Sequence, residues 1–334
     1  MKVCSYGLPR FKKQMDILSA NLILARKADN VSLTLYQIGA RTPLFMLESL
    51  ARIYRNIHNK KLFSKLYEDF KLAEDFLGAI DYYDALHKEF KANKKFPKSL
   101  LQHFEKGRDT SAYVMKKMLK GEKWLSKKQK KINKINNKLK SAEWLNASEE
   151  TPAIASFMIS EIQAIKNDLQ SGKLAFNDIE KGVHELRRKL RWLSIYPASL
   201  DGLIQLEKQK SIPSSLKKYI IPEIVNSPFN KMPAQKRGLK PIKINANNFY
   251  ALSWMIAELG QLKDQGLKVH AVAEALKLTG TAKGVSADKK ALELSGQKKL
   301  SIKTLLSQAE SLTHDFFSKH HVLDKIENDI ARYL

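Results

Sequence analysis

Apolar and cationic side chains separate by helical period over residues 183–193. Val183, Leu186, Leu190 and Leu193 recur at i, i+3, i+7 and i+10, the spacing of one buried helix face. His184, Arg187, Arg188 and Arg191 recur at i, i+3, i+4 and i+7 on the adjoining face. At ~1.5 Å of rise per residue the cationic stripe is ~10 Å long, more than one carboxylate needs and enough to meet several charges of an extended polyanion.

The same periodicity predicts helices over Ser32 to Asn56, Lys61 to Phe90, Pro97 to Leu119, Ser126 to Leu145 and Pro152 to Gln170. Further helices are expected over Phe176 to Tyr196, Asn245 to Thr279 in one or two pieces, and Ile302 to Leu334. Ser126 stands where an N-cap is needed, and Asn177 or Asp178 can cap the helix that carries His184. Glycine and proline are sparse and no alternating strand pattern stands out, so the expected class is all-α. Between Ser211 and Pro241 the prolines 213, 222, 228, 233 and 241 and Gly238 interrupt the pattern, which predicts a long basic connection. Its cations, Lys231, Lys236, Arg237, Lys240 and Lys243, either close over a bound anion or belong to a solvated loop.

Charge extends the picture to the whole chain. With 59 Lys+Arg against 34 Asp+Glu in 334 residues, the formal charge is +25, which favours an anionic partner. The segment Lys116 to Lys140 alone holds eleven lysines against one glutamate, Glu122, and reads either as a polyanion-binding face or as a solvated helix surface. One cysteine, Cys4, allows no intrachain disulfide. The apolar stretch Ile17 to Ala25 is broken by Ser19 and Asn21 and lacks a cleavage pattern, and no run approaches the ~18 apolar residues of a membrane span. The expectation is a soluble, cytoplasmic protein without a membrane partner.

Two glycines echo one another. Phe76-Leu77-Gly78-Ala79-Ile80-Asp81 and Glu258-Leu259-Gly260-Gln261-Leu262-Lys263-Asp264 both place Leu-Gly inside a long helical pattern. Glycine within a helix costs roughly 1 kcal/mol against alanine, so both placements suggest close helix approach. A duplicated helical unit explains them; chance recurrence of a short pattern is the alternative. The corresponding division of the chain is 1–147 and 148–334.

The series His184-x-x-Arg187-Arg188-x-x-Arg191, followed some way on by Leu259-Gly260-x-x-Lys263-Asp264, resembles the CHAD family, the conserved histidine α-helical domains. The match is specific over 183–265 and loose over 30–334, and departs from the family at Trp192 and Ser194, where further arginines are usual. In the first half Arg41 stands at the family's first arginine, with Ile38 in place of histidine and Phe45 and Met46 in place of basic residues, while Arg52 and Arg55 follow on the same helix. Leu77-Gly78 is kept, Asp81 replaces the usual arginine, Tyr82 the usual aspartate, and Asp84 matches a later acidic position. The resemblance implies two pseudo-symmetric antiparallel four-helix bundles and a basic groove that binds inorganic polyphosphate.

Polyphosphate carries repeated charge and no bases, so recognition needs guanidinium and ammonium groups rather than aromatic platforms. The expected ligands are His184, which adds charge when protonated, Arg187, Arg188, Arg191, Lys181 and Lys263, with Arg41, Arg52 and Arg55 as weaker counterparts. Trp192, Tyr196 and Trp254 are expected in the core. His314, His320 and His321 lack a His-Glu-x-x-His arrangement, and Thr279 to Gly284 lacks the Gly-Lys-Ser/Thr ending of a phosphate loop. No Glu-x-Glu-x-Lys triphosphatase signature is present. The expectation is therefore a non-catalytic, cofactor-free polyphosphate-binding protein, associated in the cytoplasm with polyphosphate granules. The alternatives are a nonspecific nucleic-acid-binding protein that uses the lysine-rich face, or an adaptor for an acidic protein.

Overall fold

A computed structural model describes residues 5–282, 284–296 and 301–334. The chain forms two compact units, one made of Met1–Asn146 with Val272–Leu294 and the other of Ala147–Ala271 with Ser295–Leu334. The boundary after Asn146 lies one residue from the expected division, but 272–294 return to the first unit.

The first unit begins with α1 (Gly7–Ala25), α2 (Val31–Gln37), α3 (Arg41–Ile57), α4 (Lys60–Lys91), α5 (Lys98–Gly121) and α6 (Lys130–Lys140). Helix α1 contains the apolar stretch Ile17 to Ala25, for which the periodicity predicts no helix. Its Phe11, Met15, Leu18 and Leu22 are buried, a helical stripe that Ser19 and Asn21 do not interrupt because they lie outside it. The single helix expected over Ser32 to Asn56 is two. Gly39, at φ +72°, ends α2, where Ala40 N–H donates to the Leu35 carbonyl and Gly39 N–H to that of Tyr36. Asn30 and Asn59 cap α2 and α4 by accepting from Leu33 N–H and Leu62 N–H. Ser126 accepts from Lys130 N–H, as its position predicts, but α6 is shorter than Ser126 to Leu145. Helices α3 and α5 pack on the long α4, and α1 packs on α3 and α6. The core contains Phe11, Tyr54 and Phe63 with Trp144 against them, at centroid separations of 5.2 to 5.8 Å.

The second unit contains α7 (Ala147–Gln170), a π-helical turn (Ile179–His184) that continues into α8 (Glu185–Ser199), strand β1 (Ile204–Glu207), the short α9 (Pro222–Val225) and strand β2 (Ile242–Asn245). Helix α10 (Ala246–Leu278) is one piece, and its last residues belong to the first unit together with α11 (Gly284–Leu294). The chain closes with α12 (Ile302–His314), a second π-helical turn (Asp315–Lys319) and α13 (Val322–Ala331), so that one expected helix is divided, with His321 at φ +50° before α13. Helix α7 packs on α8 and α13, and Lys166 bridges to Asp324 and to Glu327 at 3.1 Å.

Among the described residues the regular structure is helical apart from a pair of strands that the all-α reading omits. β1 and β2 are parallel, Ile204 facing Ile242 and Leu206 facing Ile244 in register. Each is four residues long, too short for period-2 alternation to separate from loop. The connection between them spans the expected basic segment and folds into 3-10 turns at Ser214–Tyr219 and Pro228–Asn230 around α9. Among its cations, Lys236 pairs with Asp201 and Lys243 with Glu207, whereas Lys231, Arg237 and Lys240 are exposed. Thr279 to Ala282 form a turn with Gly280 at φ +68°, while Lys283 of that stretch lies outside the described residues. No described helix is long and apolar enough to cross a membrane.

Candidate polyanion-binding site

The helix carrying His184 is positioned at its start. Asp178 caps it by accepting from Glu180 N–H and Lys181 N–H, both at 2.8 Å, which selects between the two caps read in the sequence. The first turn is π-helical and brings His184 Nδ1 within 2.7 Å of Glu180 Oε1. Gly182 is buried there, and a Cβ on it would stand 2.4 Å from the Ala175 carbonyl oxygen. The expected apolar face is present: Val183, Leu186, Leu190 and Leu193 are all buried, as are Trp192 and Tyr196, while Trp254 is half-buried.

The cationic stripe divides between neighbours. Arg188 lies exposed along its own helix, where Nε and Nη2 donate to the two oxygens of Glu185 at 2.9 and 3.0 Å. Lys189 binds Asp168 at 3.0 Å. Lys181 is exposed and Arg191 half-buried, with interactions of its own. Arg187 instead turns toward α10. It is half-buried, its guanidinium lies against Gly260, and Nε donates to the Ile256 carbonyl at 3.2 Å. Burial lowers its pKa from the ordinary arginine value, and Asp264 opposes that shift from a distance. Among the described residues no carboxylate forms an ion pair with Arg187. One turn beyond Gly260, the largely buried Lys263 pairs with Asp264 at 2.6 Å.

The first unit repeats the arginine–glycine contact with different surroundings. Arg41, at the start of α3, lies against Gly78, where a Cβ would come within 2.9 Å of Nη2. Here the guanidinium is neutralised: Nε meets Glu74 at 2.6 Å and Nη1 meets Asp81 at 2.7 Å, with the Phe45 ring alongside. Four residues before each glycine stand Glu74 and Ile256, and three after stand Asp81 and Lys263. The two carboxylates that hold Arg41 thus have an aliphatic residue and a cation in the corresponding places near Arg187. Arg55 lies over the Tyr67 ring at 4.5 Å, and Arg52 is half-buried with partners of its own.

Sequence reading placed these cations on shared helix faces but did not weigh Glu180 and Glu185, which at i−4 and i−3 from His184 and Arg188 are in reach on any helix. Lys116 to Lys140 contrasts with them. Lys131 is drawn inward to Asp69 at 3.1 Å and Glu122 at 3.0 Å, which occupies the one carboxylate of the segment. Lys117, Lys120, Lys123, Lys127, Lys128, Lys130, Lys134, Lys138 and Lys140 are exposed. No group of His, Cys, Asp and Glu among the described residues is arranged to hold a metal ion. Comparison with family models, with curated proteins and with solved structures finds no match for this chain.

Proposed function

We propose that this protein binds phosphate polymers without catalysis, inorganic polyphosphate first among them, through the cations around Arg187 in the second unit. One observation carries the reading: a half-buried guanidinium that lacks the carboxylates its counterpart Arg41 has. A charged group removed from water is stabilised by an opposite charge, and where the protein provides none within ion-pair distance an external anion completes the site. Arginine's planar fork suits two oxygens of one phosphoryl group, and Lys263, Arg191 and Lys181 extend the positive field along a chain of them. In this reading His184 and Arg188 contribute after exchanging Glu180 and Glu185 for phosphate, and Arg41 is a structural cation. Arg52 and Arg55 add to the field of the first unit.

The matched contacts Arg41–Gly78 and Arg187–Gly260 also favour the view that the two units are diverged copies of one helical design, as in the CHAD-like arrangement of paired four-helix bundles. The test replaces Arg187 and Lys263 with glutamine in the full chain and titrates polyphosphate at fixed ionic strength. Each charged hydrogen bond lost costs about 1.5–3 kcal/mol, so affinity is expected to fall by more than about tenfold with the fold intact. Replacing Lys127, Lys128, Lys130 and Lys134 is expected to cost less, because open-face lysines are screened. Unchanged affinity in the Arg187/Lys263 variant defeats the assignment. A dominant loss in the lysine variant favours the nucleic-acid reading, which rests on the unpaired lysines of that face.

A further inference from the structure

The outer face of α1 carries large apolar side chains where a lone surface helix is expected to be polar throughout. Ile17, Ile23 and Leu24 are 43%, 40% and 55% exposed. With Ala20 they form a stripe on the side opposite the buried Phe11, Met15, Leu18 and Leu22. Lys13 and Lys27 stand at its two ends.

The lysine-rich segment is fastened beside this stripe. Gln129 Nε2 donates to Ser19 Oγ at 2.9 Å, and Arg26 Nη1 donates to the Ser126 carbonyl at 3.1 Å. Ser19 and Arg26 mark the edge of α1 next to Ile23, so the segment that carries the exposed Lys127 and Lys128 runs along the Ile23 side of the stripe, with Ile17 and Leu24 toward the other side of the exposed face. Helix α6, which packs on α1, continues the row with exposed Lys130, Lys134 and Lys138. The acidic side chain on the exposed face of α1, Asp16, is paired with Lys12 at 2.6 Å.

We infer that the α1–α6 face of the first unit is a peripheral docking surface for an anionic phospholipid bilayer. Three apolar side chains alone hold a protein to a membrane only weakly, and a polybasic patch alone is salt-labile; together they provide the two signals that stable peripheral attachment requires. A nucleic-acid backbone would satisfy the lysines and leave the isoleucines and leucine in water. A second copy of the chain would oppose one lysine row to another across the apolar stripe. A bilayer with anionic headgroups complements both features, with lysines at the phosphate level and apolar tips just beneath.

The test uses the full chain in co-sedimentation with phosphatidylcholine vesicles, with and without phosphatidylserine. Binding is expected only where phosphatidylserine is present, and to fall steeply with salt. Each lysine near an anionic surface contributes about fivefold, so replacing Lys127, Lys128, Lys134 and Lys138 with glutamine is expected to weaken binding more than about a hundredfold. Replacing Ile17, Ile23 and Leu24 with serine is expected to weaken it about tenfold or more. Leu24→Trp, which keeps the surface apolar, adds a readout independent of the serine variant's folding: its emission shifts to the blue on contact with the anionic vesicles. The Arg187/Lys263 variant is expected to bind vesicles like the parent, so that loss of the polyphosphate reading and loss of this one are read separately. Three results would overturn the inference: no association with phosphatidylserine vesicles, equal binding by the triple serine variant with no shift for Leu24→Trp, or a parent dimer that the serine variant abolishes.

Discussion

Gly182→Ala is expected to destabilise the second unit by about 3 kcal/mol. Helix propensity alone forecasts the opposite, a gain of roughly 1 kcal/mol for removing a glycine from a helical turn. Sterics decides the sign. The added Cβ would stand 2.4 Å from the Ala175 carbonyl oxygen, 3.3 Å from its carbon and 3.4 Å from Phe176 Cα, all backbone atoms that no rotamer change can withdraw. The same backbone leads directly to Asp178, whose carboxylate holds Glu180 N–H and Lys181 N–H, so relief by moving the loop would sacrifice the cap. Gly121→Ala is the internal control: it ends α5 with nothing within 4 Å of a new Cβ and no positive φ, and it is expected to be neutral or slightly stabilising. Urea denaturation of the two variants checks the pair, and a Gly182→Ala protein as stable as the parent would contradict the close approach.

The second large effect is a pH-dependent one in the first unit. Glu48 on α3 is buried, its Oε2 has no hydrogen-bond partner, and its pKa is raised from 4.5 to about 7, mainly by loss of solvent and secondarily by the carboxylate of Glu74. Lys71 and the Tyr67 hydroxyl, which donates to it, oppose the shift, and Asp75 adds to it. A carboxyl whose folded pKa lies above its unfolded one binds more protons when folded. Stability therefore falls as pH rises from 4.5 to about 7 and is lowest, as far as this group is concerned, above that. The interval corresponds to on the order of 3 kcal/mol. Glu48→Gln keeps the volume and removes the charge, so it is expected to be more stable than the parent at pH values above the window by up to that order, with no advantage below it. Unfolding midpoints across the range check this. Parallel curves for parent and variant would mean that Glu48 is ionised at no cost.

Helix identity was largely legible from spacing, because buried stripes such as Val183, Leu186, Leu190 and Leu193 are long and regular. Helix interruption was not. The division at Gly39, the π-helical turn before α8 and the break at His321 depend on where particular carbonyls find partners, which period alone does not encode. Helix α1 was obscured by its apolar outer face, which blurs the contrast between faces that marks an amphipathic helix. At the candidate site the cations were visible as residue types, and the Leu-Gly echo suggested close helix approach at both glycines, where the nearest neighbour is instead the side chain of an arginine. The sequence also contained Glu74, Asp81, Ile256 and Lys263 at matched offsets from those glycines. Their meaning emerges only once Arg41 and Arg187 are placed beside them, since a partner across two helices leaves no periodic signal.

Competition between ligands tests the central proposal most directly. Labelled polyphosphate bound to the full chain is displaced with unlabelled polyphosphate or with duplex DNA of equal total charge, at one ionic strength. Both polymers release counterions on binding, so salt sensitivity alone does not separate them. A partly desolvated arginine site that admits a thin, flexible phosphate chain predicts that polyphosphate displaces the label at lower concentration than DNA does. Equal displacement, or a preference for the duplex, would contradict it.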